Sequence, residues 1–65
     1  MLKEEALRAL VNKYMDTNEI SINAVAMEMG LDRSTLRRFM LGRCPAQRRT
    51  LIKINKYFRD IKFEG

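Results

Sequence analysis

Hydrophobic residues recur at helical spacing in four stretches of the chain, and turn-forming residues separate these stretches. The first stretch runs from Leu2 to about Met15 and ends at the turn cluster Asp-Thr-Asn of residues 16–18. Its apolar residues share one helix face, which we expect to be core: Leu7, Leu10, Val11, Tyr14 and Met15. The charged residues point away from that face: Lys3, Glu4, Arg8 and Lys13.

The second stretch predicts a short helix from Ile22 to Met29. Ser21 precedes it as an N-cap, because its hydroxyl can accept a hydrogen bond from an unpaired backbone N–H. Gly30 follows it and suits the left-handed conformation in which many helices end. The apolar residues follow i, i+3, i+4, i+7 spacing: Ile22, Val25, Ala26 and Met29.

The third stretch predicts a helix from Arg33 to about Met40 or Leu41. Asp32 is expected to cap it and to place a carboxylate at the positive end of the helix dipole. Gly42 ends it. Three of its residues are expected to face inward: Leu36, Phe39 and Met40.

The fourth stretch predicts a helix from about Ala46 to Phe58 or further, with Pro45 suited to its first turn. Its apolar stripe consists of Leu51, Ile54, Phe58 and Ile61, with Ile52 and Tyr57 alongside. Together the four stretches predict an all-α fold, a small bundle of four or five short helices. At 65 residues, we expect one domain over residues 1–65.

Composition excludes several classes of function. The chain has no histidine and a single cysteine, Cys44, so no internal disulfide and no cysteine-based zinc site are expected. No apolar run approaches the about 18 residues of a membrane span. No phosphate-binding glycine loop, nucleophile–base pair or pair of catalytic carboxylates is visible. We therefore expect a cytoplasmic protein that is not an enzyme and has no cofactor, metal or small-molecule ligand.

Charge is distributed unevenly along the chain. The net charge is +5, but residues 1–32 contain three basic and six acidic residues. From Arg33 to Arg59 there are nine basic residues and no acidic one. A basic region of this kind fits a polyanionic partner such as nucleic acid, although acidic proteins and lipids also bind such surfaces.

The third helix carries the clearest binding chemistry. Its outward face holds Arg33, Ser34, Arg37 and Arg38. Arginine presents a fork of donors that matches guanine O6 and N7 as well as phosphate oxygens. Residues 22–42 thus have the pattern of a helix-turn-helix whose second helix reads bases in the DNA major groove. The alternative is a solvated basic helix face without a partner.

The start of the fourth helix is polar and basic, with the residues Gln47, Arg48, Arg49 and Thr50. Free backbone N–H groups at a helix start, surrounded by arginines, form a phosphate-binding end. The alternative is a solvated surface turn. Beyond this helix, Ile61 and Phe63 either fold back on the core or pair two copies of the chain.

These residues resemble the lambda-repressor and Cro family of helix-turn-helix proteins. The resemblance covers roughly residues 7–58. It rests on Ser21 before the second helix, Ala26 and Gly30 at four-residue spacing, inward Leu36 and Phe39, Gly42, and Thr50-Leu51 in the fourth helix. The chain departs from the family at Ile22, where glutamine is frequent, and at Pro45 and Arg48.

The resemblance implies a lambda-repressor-like fold that binds double-stranded operator DNA, usually as a dimer, in bacteria or their phages. It implies base contacts from Arg33, Ser34, Arg37 and Arg38. It implies phosphate contacts from Asn23, Thr35, Arg43, Gln47, Arg48 and Arg49. A homodimer would form through the C-terminal helix and tail, at Ile61 and Phe63.

The main functional hypothesis is a small sequence-specific regulator of transcription, a repressor, which lies on the nucleoid when bound to DNA. Two alternatives stay open. One is a protein-interaction module such as an antirepressor or adaptor, which uses the basic face on an acidic partner. The other is a DNA-binding protein without sequence preference.

Overall fold

The structure is a computed structural model and describes residues 3–42 and 47–63. These residues form four helices and no strand: α1 (Glu4–Asn18), α2 (Ile22–Met29), α3 (Arg33–Leu41) and α4 (Arg48–Ile61). The all-α prediction is confirmed. The Cα radius of gyration of 10.5 Å is that of a compact folded chain, for which about 10.7 Å is expected at this length. Among the described helices, none has the length and apolar character needed to cross a membrane.

Helix α1 begins and ends later than its hydrophobic pattern predicts. Lys3 is extended and precedes the first turn, so the helix does not start at Leu2, which itself lies outside the described residues. At the other end the predicted turn cluster of residues 16–18 is helical, and Glu19 is the left-handed residue that ends the helix, with φ 52°. The Glu19 N–H bonds to the Met15 carbonyl, and Asn18 donates to the Tyr14 carbonyl at 2.9 Å. These local bonds extend the helix beyond the residues that pack on the core.

The bounds of α2 and α3 agree with the prediction. Ser21 caps α2, since its hydroxyl accepts a hydrogen bond from the Ala24 N–H at 3.3 Å. Gly30 and Gly42 are left-handed, with φ of 72° and 68°, and they end the two helices. The capping role predicted for Asp32 is wrong in one respect, because its carboxylate forms no cap hydrogen bond although its backbone has the extended N-cap conformation.

Helix α4 starts at Arg48, two residues later than predicted. Gln47 is extended and is the residue before the first turn. The predictions made for Arg43, Cys44, Pro45 and Ala46 lie outside the described residues. At the far end the helix continues past Phe58 to Ile61, where left-handed Lys62 ends it.

The core is built from one face of every helix. It consists of Leu7, Leu10, Val11, Val25, Ala26, Met29, Leu36, Phe39, Ile54 and Phe58, all predicted to face inward. Tyr14, Met15, Ile22, Leu31, Met40 and Leu51 are half-buried against this cluster. Ile61, predicted in the stripe of α4, is instead 42% exposed, and Ile52 is 46% exposed. Ile61 is the last helical residue, and Ile52 lies about 100° round the helix from Leu51, on the solvent side.

Of the two outcomes considered for the tail, Phe63 folds back. Its N–H bonds to the Phe58 carbonyl at 3.1 Å. Its ring lies edge-on to Tyr14, with 5.1 Å between ring centroids, and 5.7 Å from Phe58. Edge-to-face aromatic pairs of this kind stabilise beyond the area they bury. Phe63 therefore covers the end of the core within one copy of the chain.

The packing of α3 can be tested with two leucines of the same helix. Leu36 is fully buried, whereas Leu41 is 57% exposed. We expect Leu36→Ala to lower the free energy of unfolding by about 2–5 kcal/mol, because it leaves a cavity in the core. Leu41→Ala, the matched control, should change it by less than about 0.5 kcal/mol. Urea denaturation followed by circular dichroism measures both, and equal losses would show that α3 does not pack through Leu36.

Candidate nucleic-acid interface

The four residues predicted to contact bases lie together on one exposed face of α3. Leu36 and Phe39 bury the opposite face of the helix. The four exposed residues are Arg33, Ser34, Arg37 and Arg38. One ion pair occurs among the described residues, between Arg8 and Glu4, so no acid of that part of the chain pairs with an arginine of α3. The guanidinium groups are thus available to an external anion.

Helix α3 is joined to α1 through Arg8, which sequence reasoning wrongly placed on the solvent side. Arg8 is half-buried, and its Nε donates to the Phe39 carbonyl at 2.7 Å. Its guanidinium carbon also lies 5.0 Å from the centroid of the Phe39 ring, a cation–π distance. Its Nη2 contacts Glu4 Oε2 at 3.1 Å. A cation at the last turn of α3 also interacts favourably with the negative end of the helix dipole.

Gly42 lies directly beside this arginine. A Cβ atom at Gly42 would be 3.4 Å from the Arg8 guanidinium carbon. That is an ordinary van der Waals distance, so what favours glycine here is the left-handed backbone at the end of α3, as the sequence predicted.

The turn before α3 is joined to α4 by Lys53, which the sequence did not single out. Its Nζ donates to the Gly30 carbonyl at 3.2 Å. The ends of α2 and α3 are thus each contacted by a cation from a flanking helix, Lys53 for α2 and Arg8 for α3. In the sequence both residues lie outside the apolar stripes of their helices, as solvent-exposed cations do. No local pattern therefore indicates that they contact another helix.

A second link joins α1, α2 and α4 through three side chains. The Tyr57 hydroxyl donates to Glu28 Oε2 at 2.8 Å, and the Tyr14 hydroxyl lies 2.8 Å from the Tyr57 hydroxyl. Tyr14 also contacts the same Glu28 oxygen at 3.3 Å. Burial, followed by the hydrogen bonds with Tyr14 and Glu28, raises the pKa of Tyr57 well above the ordinary range of a tyrosine. This link includes no residue of α3.

A polar cleft lies between the α2–α3 turn and the start of α4. Three residues predicted to contact phosphate, Thr35, Gln47 and Arg49, line it together. The complete lining is Gly30, Leu31, Asp32, Thr35, Gln47, Arg49, Thr50 and Lys53. Arg48 and Asn23 are exposed but do not line it, and Arg43 lies outside the described residues.

The start of α4 carries no side-chain cap. Gln47 occupies the N-cap position but makes no cap hydrogen bond. Its Oε1 instead accepts a hydrogen bond from Arg49 Nε at 3.1 Å. An uncapped helix start leaves backbone donors and the positive end of the helix dipole available to an anion.

Comparisons of the chain with protein-family models, curated proteins and solved structures find no match. The fold and site define a small all-helical protein with an exposed cationic helix face beside a polar cleft.

Arg8→Met tests the link between α1 and α3. The substitution keeps a long apolar side chain but removes the hydrogen bond to Phe39, so we expect a loss of about 1–2 kcal/mol in unfolding free energy. Amides in the last turn of α3 should exchange with solvent faster than those of α2. Lys13→Met, an exposed control on α1, should change neither quantity. Unchanged exchange in α3 would show that Arg8 does not hold this helix.

Tyr57→Phe tests the hydroxyl link through its pH dependence. The folded pKa of Tyr57 is raised, so the folded state keeps its proton while the unfolded chain loses it above about pH 10. We therefore expect the wild-type protein to lose stability as the pH rises above about 10, and the Phe variant to lose less. Urea unfolding between about pH 8 and pH 11 measures the difference. Parallel curves for the two proteins would contradict the raised pKa.

Proposed function

We propose that this protein is a sequence-specific double-stranded DNA-binding regulator of transcription. In this proposal α2 and α3 form a helix-turn-helix in a lambda-repressor-like fold, and α3 lies in the major groove. The observation that supports it most is the unpaired cationic face of α3, formed by Arg33, Arg37 and Arg38, opposite a face buried in the core. No catalytic activity is part of this role.

The dimensions of α3 suit the groove. The major groove is about 12 Å wide, which admits an α-helix of about 10–12 Å diameter with its side chains. Arg33 and Arg37 are one helical turn apart, so both can address neighbouring base edges. The arginine fork discriminates guanine by paired bonds to O6 and N7, and Ser34 can bond to several bases.

Contacts to the DNA backbone would come from residues around this helix. Arg48 and Arg49 stand at the uncapped start of α4, and Thr35 and Gln47 line the adjoining cleft. We include Asn23 of α2 and Arg43 as further phosphate contacts. Such contacts position the protein but carry no sequence information.

Repression and dimer formation are further parts of the proposal. A dimer would use the exposed Ile61 at the end of α4. Phe63 would contribute less than the sequence suggested, since much of its surface packs on Tyr14 and Phe58. A palindromic binding site would accompany such a dimer.

One observation favours a second candidate, a protein-interaction module that binds an acidic partner. Ile52 is 46% exposed on the outer face of α4, among Arg48, Lys56 and Arg59. An apolar residue surrounded by cations suits an acidic protein surface. Titration with random-sequence duplex DNA at low salt separates the candidates, because a DNA-binding protein binds there even without its preferred site.

Selection from a random duplex pool, followed by substitution, tests the role of α3. On the best selected duplex, Arg37→Ala should weaken binding by about 1–3 kcal/mol and relax the preference at one base pair. Arg59→Ala removes an equal charge from the exposed end of α4 and should leave the base preference unchanged. Selection without any consensus would instead indicate binding without sequence preference. An Arg37→Ala protein with undiminished affinity would exclude α3 as the reading helix.

A further inference from the structure

We propose that the cleft between the α2–α3 turn and the start of α4 binds one phosphodiester group, held by Lys53, Arg49 and Thr50. The inference rests on the proposed DNA binding and adds a defined site with one residue, Lys53, to which no binding role was assigned. The group that fits the cleft carries a single negative charge.

Lys53 supplies a cation whose position is already set. One of its three N–H donors bonds to the Gly30 carbonyl at 3.2 Å. The other two remain available, and no acid in the described part of the chain forms an ion pair with this lysine. A long side chain that is held before binding loses less conformational freedom when a ligand arrives.

Thr50 supplies a hydroxyl. The residue is 4% exposed and lines the cleft, yet its hydroxyl has no hydrogen bond to another described residue. Since no buried side-chain oxygen of the described residues lacks a partner, this hydroxyl is open to the solvent of the cleft, where it can donate to a ligand with acceptor oxygens. Phosphate oxygens are such acceptors, and threonine hydroxyls commonly bond to them in DNA complexes.

The charge of the cleft selects a single negative charge. Arg49 and Lys53 are cationic and Asp32 is anionic, so the lining side chains carry one net positive charge. A phosphodiester has one negative charge and balances it, whereas the second charge of a terminal phosphate would face the Asp32 carboxylate. The uncapped start of α4 adds the positive end of a helix dipole.

The position of the cleft connects this phosphate to base reading. One wall is the α2–α3 turn and the first turn of α3, through Asp32 and Thr35, and the other is α4. A backbone phosphate held there would lie beside the N-terminal end of α3, where base contacts are expected. Because Lys53 also contacts Gly30, one side chain would join the DNA backbone, the turn and α4.

The test is a double-mutant cycle between the protein and the DNA backbone. Each phosphate of the selected duplex is replaced in turn by a neutral methylphosphonate, and binding is measured with wild-type protein, Lys53→Gln and the matched control Lys56→Gln. We expect one phosphate at which the wild-type and Lys56→Gln proteins lose about tenfold in affinity and Lys53→Gln loses almost nothing. Lys53→Gln should also reduce the slope of log affinity against log salt by about 1.

Two further variants protect the test against a folding defect in Lys53→Gln. Thr50→Val keeps the side-chain shape without the hydroxyl, and it should weaken binding severalfold and lose part of its sensitivity to the same methylphosphonate. Asp32→Asn should strengthen binding of the unmodified duplex and retain that sensitivity, whereas the control Asp60→Asn, which removes an equal charge from α4, should gain less.

The outcomes separate this inference from the proposed function. One outcome is that the wild-type protein binds DNA while the effects of Lys53→Gln and of each methylphosphonate simply add, with an unchanged salt slope in Lys53→Gln. That result would overturn the cleft site and leave the proposed function in place. Absence of any DNA binding by the wild-type protein would overturn both. Coupling at one phosphate, confined to the Lys53 and Thr50 variants, would establish the site.

Discussion

The structure depends on holding a nine-residue helix, α3, with its cationic face outward. Isolated helices shorter than about 12–15 residues are marginal in water, and Arg33 at the positive end of this helix is unfavourable for its dipole. Its stability must therefore come from the other face. Leu36 and Phe39 supply it by burial, and Arg8 adds a hydrogen bond to the Phe39 carbonyl and a cation–π contact with the same ring. Every functional use of α3 requires these contacts.

The other helices form the frame that receives α3. The hydroxyl link of Tyr14, Tyr57 and Glu28 joins α1, α2 and α4, and Phe63 packs against the same aromatic group. Lys53 connects that frame to the turn before α3 through Gly30. The outward face of α3 and the uncapped start of α4 consequently have a set relation to each other, as a protein that contacts bases and backbone together needs.

The arginines of this protein differ in whether they have an acidic partner. The arginines of α3 have no acidic partner among the described residues, while Arg8, the one arginine that does, is half-buried and structural. The same residue type thus occurs in two different surroundings, exposed on α3 and half-buried on α1. A polyanion such as DNA suits the arginines of α3. The polar cleft between the α2–α3 turn and the start of α4 extends this cationic surface, with the Thr50 hydroxyl and with Lys53, which bonds to the Gly30 carbonyl. This combination underlies both the proposed function and the proposed phosphate site.

Sequence by itself determined the helices, the ends of α2 and α3 and the core, because apolar periodicity and the left-handed conformation at Gly30 and Gly42 are local properties. It also identified the exposed arginines of α3, since Leu36 and Phe39 define the opposite face. Tertiary structure alone decided which polar residues join helices. Arg8 pairs with a carbonyl 31 residues away and Tyr14 with a tyrosine 43 residues away, and periodicity has no information on partners at such distance. Tertiary structure likewise left Ile61 exposed at the last residue of α4, while Phe63 packs on Tyr14 and Phe58.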